Sequence, residues 1–251
     1  MESGMIVFPG WPGTLLTLLP AIAIPLALAF LAWTLRAVTA AAAFTGGFLA
    51  FVLYLAAGTS ALLPVLAVFL LTYFSTRIGH RKKERLGTAE RSRGRGAAQV
   101  LANVSAAAIC AAPLIFAAHP RYVLLAGVSA ALAEAAGDTV SSELGQTFGG
   151  TPRLITNLRR VPTGSDGAIT IPGTIFAFLA AAFICLTCQS AGLLLPDTYW
   201  PVLIAAFLGT LLDSLLGATL ERPGRLGNNS VNFASTAFSA ALAMVVLFVR
   251  Y

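Results

Sequence analysis

Charge is what this chain has least of. Sixteen Lys and Arg and ten Asp and Glu among 251 residues make it 10% charged, where a soluble domain carries about a quarter. With 57% apolar residues and a mean hydropathy of +0.83, the composition excludes a soluble globular protein and specifies an integral membrane one. Histidine is down to two residues, His80 and His119. Neither has a visible partner, so neither is assigned a role. Of the three cysteines, Cys185 and Cys188 form a CxxC inside an apolar run. There they read as small packing residues, with a metal or redox pair as the alternative. The opening Met1-Glu2-Ser3-Gly4-Met5 lacks the basic stretch of a cleaved signal peptide.

Long apolar runs are abundant. They lie at about 13–35, 38–57, 60–76, 97–117, 121–137, 173–195, 199–219 and 231–249. Most reach the roughly 17 to 25 residues that cross a hydrocarbon layer. Backbone groups in lipid must be satisfied internally, so the spans are helices. The expectation is an all-α polytopic protein of about eight transmembrane helices, one domain over 1–251, with Pro20 and Pro25 kinking the first span.

The net charge of +6 does not mark a nucleic-acid binder, because the charges are gathered in one loop without interleaved aromatics. Arg77, Arg81, Lys82, Lys83, Arg85, Arg91, Arg93 and Arg95 share it. Positive-inside orientation makes that loop cytoplasmic. Alternation then puts Arg36, Arg153, Arg159, Arg160, Arg222 and Arg225 on the same side, and only Arg121 and Arg250 opposite. Both termini fall outside the cytoplasm. The polar segments 77–96, 138–172 and 220–230 are all cytoplasmic, while the connections near 58–60, 118–121 and 195–199 are short. Such one-sidedness favours work on a soluble cytoplasmic reactant. Most of the loop charges serve topology and anionic lipid.

Two stretches, Gly137–Gly145 and Gly209–Gly217, put carboxylates at the ends of apolar runs. Ionisable groups at membrane depth cost roughly 2.5 to 3.5 kcal/mol on insertion scales, so they mark sites. Each has an Asp followed by Ser and Gly, the faint likeness of a diverged internal repeat. On a helix Glu134, Asp138, Ser141 and Gly145 share one face. Glu143 points about 140° away from Asp138 at about 100° per residue. Asp213 is the natural partner of Asp138 from another helix. Two or three hard oxygens from different helices suit Mg²⁺ held together with substrate phosphates. The alternative is that the acids pair with neighbouring arginines and fix the helices.

Arg159-Arg160-Val161-Pro162-Thr163-Gly164-Ser165-Asp166-Gly167 combines paired arginines with turn residues. Backbone N–H groups in such turns face anions, and Arg adds bidentate donors. Asn228, Asn229 and Asn232 open the last span. One of them suffices as a helix cap, and three invite metal or nucleotide contacts. Gln99 and Asn103 lie i,i+4 on one face at the start of the fourth span, close to Lys83 and Arg95.

The motifs Lys83-Glu84, Gly94-Arg95, Gln99-Val100-Leu101-Ala102-Asn103, Gly137-Asp138-Thr139, Ser142-Glu143-Leu144-Gly145, Val161-Pro162, Asp166-Gly167, Leu212–Leu220 and Asn228-Asn229 with Val231-Asn232 occur in this order. From about residue 36 onward the chain resembles the integral-membrane family that includes the phytyl-phosphate kinases of plastids and cyanobacteria. Ala168 stands where a second Gly is expected, and Val104 where Gly is usual. The resemblance implies phosphoryl transfer from a nucleoside triphosphate, CTP, to a prenyl monophosphate such as phytyl or geranylgeranyl phosphate. Such an acceptor is already an anion and needs no general base, in keeping with the missing histidine.

The site expected on this basis has Asp138, Glu143 and Asp213 holding Mg²⁺. Arg159 and Arg160, with Lys83 and Arg95, bind phosphates. Gln99, Asn103, Ser142, Gly164, Asp166, Gly167, Asn228, Asn229 and Asn232 line the rest. The expected partners are the nucleotide, the prenyl phosphate and membrane lipid, in a bacterial inner membrane with the site facing the cytoplasm. Two other readings use the same residues: a proton- or cation-coupled transporter through Glu134, Asp138 and Asp213, and a cytidylyltransferase that releases pyrophosphate.

Overall fold

The computed structural model describes residues 15–89, 94–116 and 120–250. Arg91, Arg93, His119 and Met1–Met5 of the sequence reading lie outside them. Each apolar run carries a helix: α1 (Leu15–Thr34), α2 (Ala40–Ala57), α3 (Leu62–Arg77), α5 (Ala97–Ile115), α6 (Arg121–Phe148), α7 (Ile171–Ser190), α8 (Tyr199–Leu216) and α9 (Asn228–Arg250). A short basic helix, α4 (His80–Leu86), sits within the expected loop. A two-residue ribbon, β1 (Arg153–Leu154) against β2 (Ala168–Ile169), closes the loop before α7. Six helical stretches among the described residues are long and apolar enough to cross a membrane. One of these, Ala40–Arg77, contains both α2 and α3, and α1 adds a shorter apolar helix.

Local chemistry sets the ends. Thr39 caps α2 by accepting from the Ala42 amide at 3.2 Å. Gly58, at φ 67°, stops α2 and lets the chain turn into α3. The basic end of α3 returns beside Arg36–Val38, the link between α1 and α2, where both line one cavity. Thr170 caps α7 on the Gly173 amide at 3.1 Å.

α6 is the axis. Of its most apolar 18 residues 89% are buried, against 44% or less for the other spans. α3, α5, α7, α8 and α9 pack around it. Helices in lipid gain little from burying apolar surface, so close approach of small residues drives their association. α6 provides them. A Cβ on Gly127 would stand 2.7 Å from Met244 Sδ, and one on Gly137 3.1 Å from the Ala177 carbonyl. Phe44, Phe183, Trp200 and Phe248 on the outer helices are exposed, as a lipid-facing surface requires.

α6 also corrects one boundary. The span expected to end near residue 137 continues to Phe148, and at 1.5 Å per residue its 28 residues measure about 42 Å. Asp138, Ser141, Ser142, Glu143 and Gly145 are therefore helical and not loop. At the opposite end, Arg121 Nη2 donates to the Ala56 carbonyl (3.1 Å) and Arg250 lies 3.8 Å from Asp197. Arg121 and Arg250 therefore share the end of the bundle opposite the basic loops.

Candidate functional site

The expected site residues divide between two sides of α6. On one side, Asp138, Ser141, Ser142, Gly145 and Gln146 of α6 meet Asp213 and Ser214 of α8, Asn228 of α9 and the loop Thr163–Ala168. The cavity they line holds about 930 Å³ of empty space, counting its open mouth. Asp138 and Asp213 bring their carboxyl groups within hydrogen-bond reach of each other. Ser235 Oγ donates to Asp213 Oδ2 at 3.1 Å.

α8 ends in a π-helical turn, Gly217–Glu221, a device frequent at functional sites. It delivers Glu221 to the same cavity, close to Asp166. Gly167 fixes the loop there. Its φ is 70°, and a Cβ would stand 2.2 Å from the Ala218 nitrogen, so no side chain fits. Gly164, at φ 85°, packs against Thr88 in the same manner. Leu154 and Ala168 pair across the ribbon, which returns the loop to α6.

The other side of α6 belongs to Glu143. The expected trio of Asp138, Glu143 and Asp213 does not form. Glu143 accepts from Lys83 Nζ at 2.5 Å and Thr76 Oγ1 at 3.0 Å, and lies 3.7 Å from Arg95 Nη2. The cause is the unbroken helix, which keeps the angular offset between Asp138 and Glu143. Lys83 is fully buried and also donates to the carbonyls of Ser75 (3.1 Å) and Thr76 (2.7 Å). Its three bonds are all to protein, and it lines no part of the polar cavity. It pins α4 to α3 and α6. Arg95 bridges the two sides, with Nη1 3.4 Å from Thr139 Oγ1.

The carboxamides form a chain. Asn228 Nδ2 donates to Asn232 Oδ1 (3.2 Å), Asn232 Nδ2 to Asn103 Oδ1 (3.3 Å), and Asn103 Nδ2 to the Gln99 carbonyl (2.8 Å). Gln99 Oε1 in turn accepts from the Gly96 amide at 2.7 Å. Asn229 is exposed and outside the cavity wall. Arg159 and Arg160 are exposed at the far end of the loop, beyond the cavity wall.

Sequence reasoning passed over Glu221, Gln146 and Ser214. Glu221 was within reach of it: eight residues beyond Asp213, it comes within about 80° of the same helical face. Glu134, one turn from Asp138, is 1% exposed and lies beside Asp138, Asp213 and Ser235. Gly209 makes room for it, since a Cβ there would stand 2.8 Å from Glu134 Cγ.

The donor set fits Mg²⁺. Among the described residues no three His, Cys, Asp or Glu side chains close into a ready-made cage. Mg²⁺ does not ask for one, since it is commonly held by one or two carboxylates with water and substrate phosphates. Like charges about 4 Å apart repel by about 4 kcal/mol at an effective dielectric of 20. A divalent cation held by Asp138 and Asp213 would offset such repulsion.

Residues 23–240 match the model of the family described as integral membrane protein DUF92. The chain is 35% identical over 196 residues to the uncharacterized membrane protein sll0875 of Synechocystis, covering 77% of this chain and 76% of that one. It is 30% identical over 214 residues to the chloroplastic protein VTE6 of Arabidopsis thaliana, covering 82% of this chain and 63% of that one. It is 35% identical over 202 residues to the uncharacterized membrane protein MJ0933 of Methanocaldococcus jannaschii, covering 78% and 80%. No solved structure matches.

Proposed function

Because the chain belongs to the DUF92 integral membrane family and its motifs resemble those of the phytyl-phosphate kinases, we propose that it phosphorylates a prenyl monophosphate. The donor is a nucleoside triphosphate, CTP, and the acceptor is of the phytyl or geranylgeranyl phosphate kind. An acceptor phosphate oxygen bonds to the terminal phosphorus of the donor as the bridging P–O bond breaks, and CDP leaves with the prenyl diphosphate as product. The observation that supports this most is the meeting of Asp138 and Asp213, from two helices, in a polar cavity on the face that carries the basic loops.

Phosphoryl transfer depends on positioning and charge neutralisation more than on covalent help from protein. Asp138 and Asp213 would hold Mg²⁺, and Asp166 and Glu221 line the same cavity. The ion, when bound, withdraws charge from the donor phosphates. Ser142, Asn228 and the Gly164–Gly167 turn line the triphosphate. Arg95, at the edge between the two sides of α6, takes the acceptor phosphate. Arg159 and Arg160, exposed on the same loop, are the candidate partners of the outer phosphates. The site faces the cytoplasm of a bacterial inner membrane, where CTP is available.

The test is purified protein in detergent with Mg²⁺, CTP or ATP, and a panel of prenyl alcohols and monophosphates, with products identified by mass. Prenyl diphosphate plus CDP is the expected outcome. Nucleotide consumption without any lipid diphosphate rejects the proposal, and pyrophosphate release transfers it to cytidylyl chemistry. Asp138→Asn and Asp213→Asn should each lower turnover at least about a hundredfold, the scale of disrupted metal sites, while the protein stays monodisperse.

A further inference from the structure

A second cavity is distinct from the polar one. It lies between α1, α2, α3, α5 and α6 and holds about 990 Å³ of empty space, counting its mouth. Its walls are apolar over most of their extent, with Gly46 and Ala50 on α2, Leu66 and Phe69 on α3, Val104 on α5 and Leu132 on α6. α1 closes part of it with Pro25, Leu28, Ala29 and Ala32. At its basic end the lining changes to Arg95, Gln99, Asn103 and Thr139. There it joins a vestibule that adds Arg36 and Arg77. Arg77 is held over the Tyr73 ring at 4.4 Å and donates to the Leu35 carbonyl at 3.0 Å.

We infer that this slot binds the tail of a single-chain isoprenoid phosphate, with the phosphate at Arg95 and the last carbons near Ala50 and Leu66. Three features select that occupant. The slot is dry along its length and cationic only at one end, which matches an amphiphile with one anionic head. Along α2 it runs from Ala42 to Ala50, about 12 Å at 1.5 Å per residue, with Val38 lining it just before the helix, so its depth limits the tail. It ends at Thr139, the residue after Asp138, which puts the head beside the metal-binding face of α6. The inference rests on the prenyl-phosphate kinase reading for the chemistry at the head, and its own content is the location and length limit of the tail.

Gly46 is the place to test the length limit. A Cβ there meets nothing closer than Val100 Cγ1 at 3.6 Å, so a larger side chain grows into the slot without breaking the helix contacts. Gly46→Leu and Ala50→Phe should lower the ratio of kcat/KM for geranylgeranyl monophosphate over dimethylallyl monophosphate at least tenfold. Phe44→Ala, on the lipid-facing side of α2, should leave the ratio as in the wild type. Independently of turnover, a geranylgeranyl monophosphate carrying a diazirine at its far end should label peptides of α2 or α3, with Gly46→Leu reducing the label.

Labelling elsewhere, or an unchanged ratio in both slot variants of an active enzyme, overturns the slot and leaves the kinase reading standing. Slot labelling by a protein that phosphorylates no prenyl phosphate upholds the slot and removes the kinase reading. Displacement of the probe by phosphatidylglycerol vesicles assigns the slot to a diacyl lipid and overturns the single-chain occupant.

Discussion

Lys83 and Glu143 differ from Asp138 and Asp213 in what a substitution does to them. Lys83 has no exposed surface and three protein partners. Removing one member of a buried pair leaves an unpaired charge and costs about 3 to 5 kcal/mol. Lys83→Met should therefore lower the unfolding temperature in detergent, and adding Glu143→Gln should restore part of the loss. A single variant as stable as the wild type would contradict the pinning role. Glu134 gives the opposite expectation. Its carboxyl is buried beside Asp138, Asp213 and Ser235, and buried ionisable groups are often replaced by apolar residues of similar volume without loss. Glu134→Met should match or exceed the wild-type unfolding temperature, and a clear drop would show that these neighbours hold the carboxyl in place. The offset of Glu143 was readable from the helical repeat. Its partner was not, because Lys83 lies 60 residues away in the chain and nothing local links the two.

At the scale of elements, the apolar runs predicted the helices closely because lipid leaves the backbone no other choice. The failure was at the basic end of α6. Polar residues from 138 to 148 read as loop by hydropathy, yet they face protein cavities and partners and so need not end a helix. α4, the ribbon and the π turn were also illegible, since each depends on contacts with distant segments. Gly167 shows the dependence most directly. Gly167→Ala combines a left-handed backbone, worth roughly 1–2 kcal/mol against a side chain, with a clash against Ala218. The loop should lift from α8, giving at least tenfold lower turnover and faster proteolysis between residues 150 and 170. Unchanged activity in that variant would separate the loop from the site.

Over the whole molecule, charge and cavities gather at one end. The polar cavity, the vestibule and the basic segments share it, while Arg121, Asp197 and Arg250 occupy the other. This polarity was legible from the arginines alone, because it is a property of composition along the chain and not of packing. It is checked by placing a single reactive thiol at the half-buried Ser165. Ser165→Cys should react with a membrane-impermeant maleimide in inverted vesicles and resist it in intact cells, and the reverse pattern would turn the protein over. The meeting of a polar and an apolar cavity across α6 was not legible, since α1 to α3 had contributed no site residue to the sequence reading. Between the two cavities runs the amide chain Asn228–Asn232–Asn103–Gln99, which touches one at its first member and the other at its last two. A change at the Asn228 amide would therefore reach the wall of the apolar slot through these hydrogen bonds, and any coupling between binding in the two cavities would have the same size in both directions.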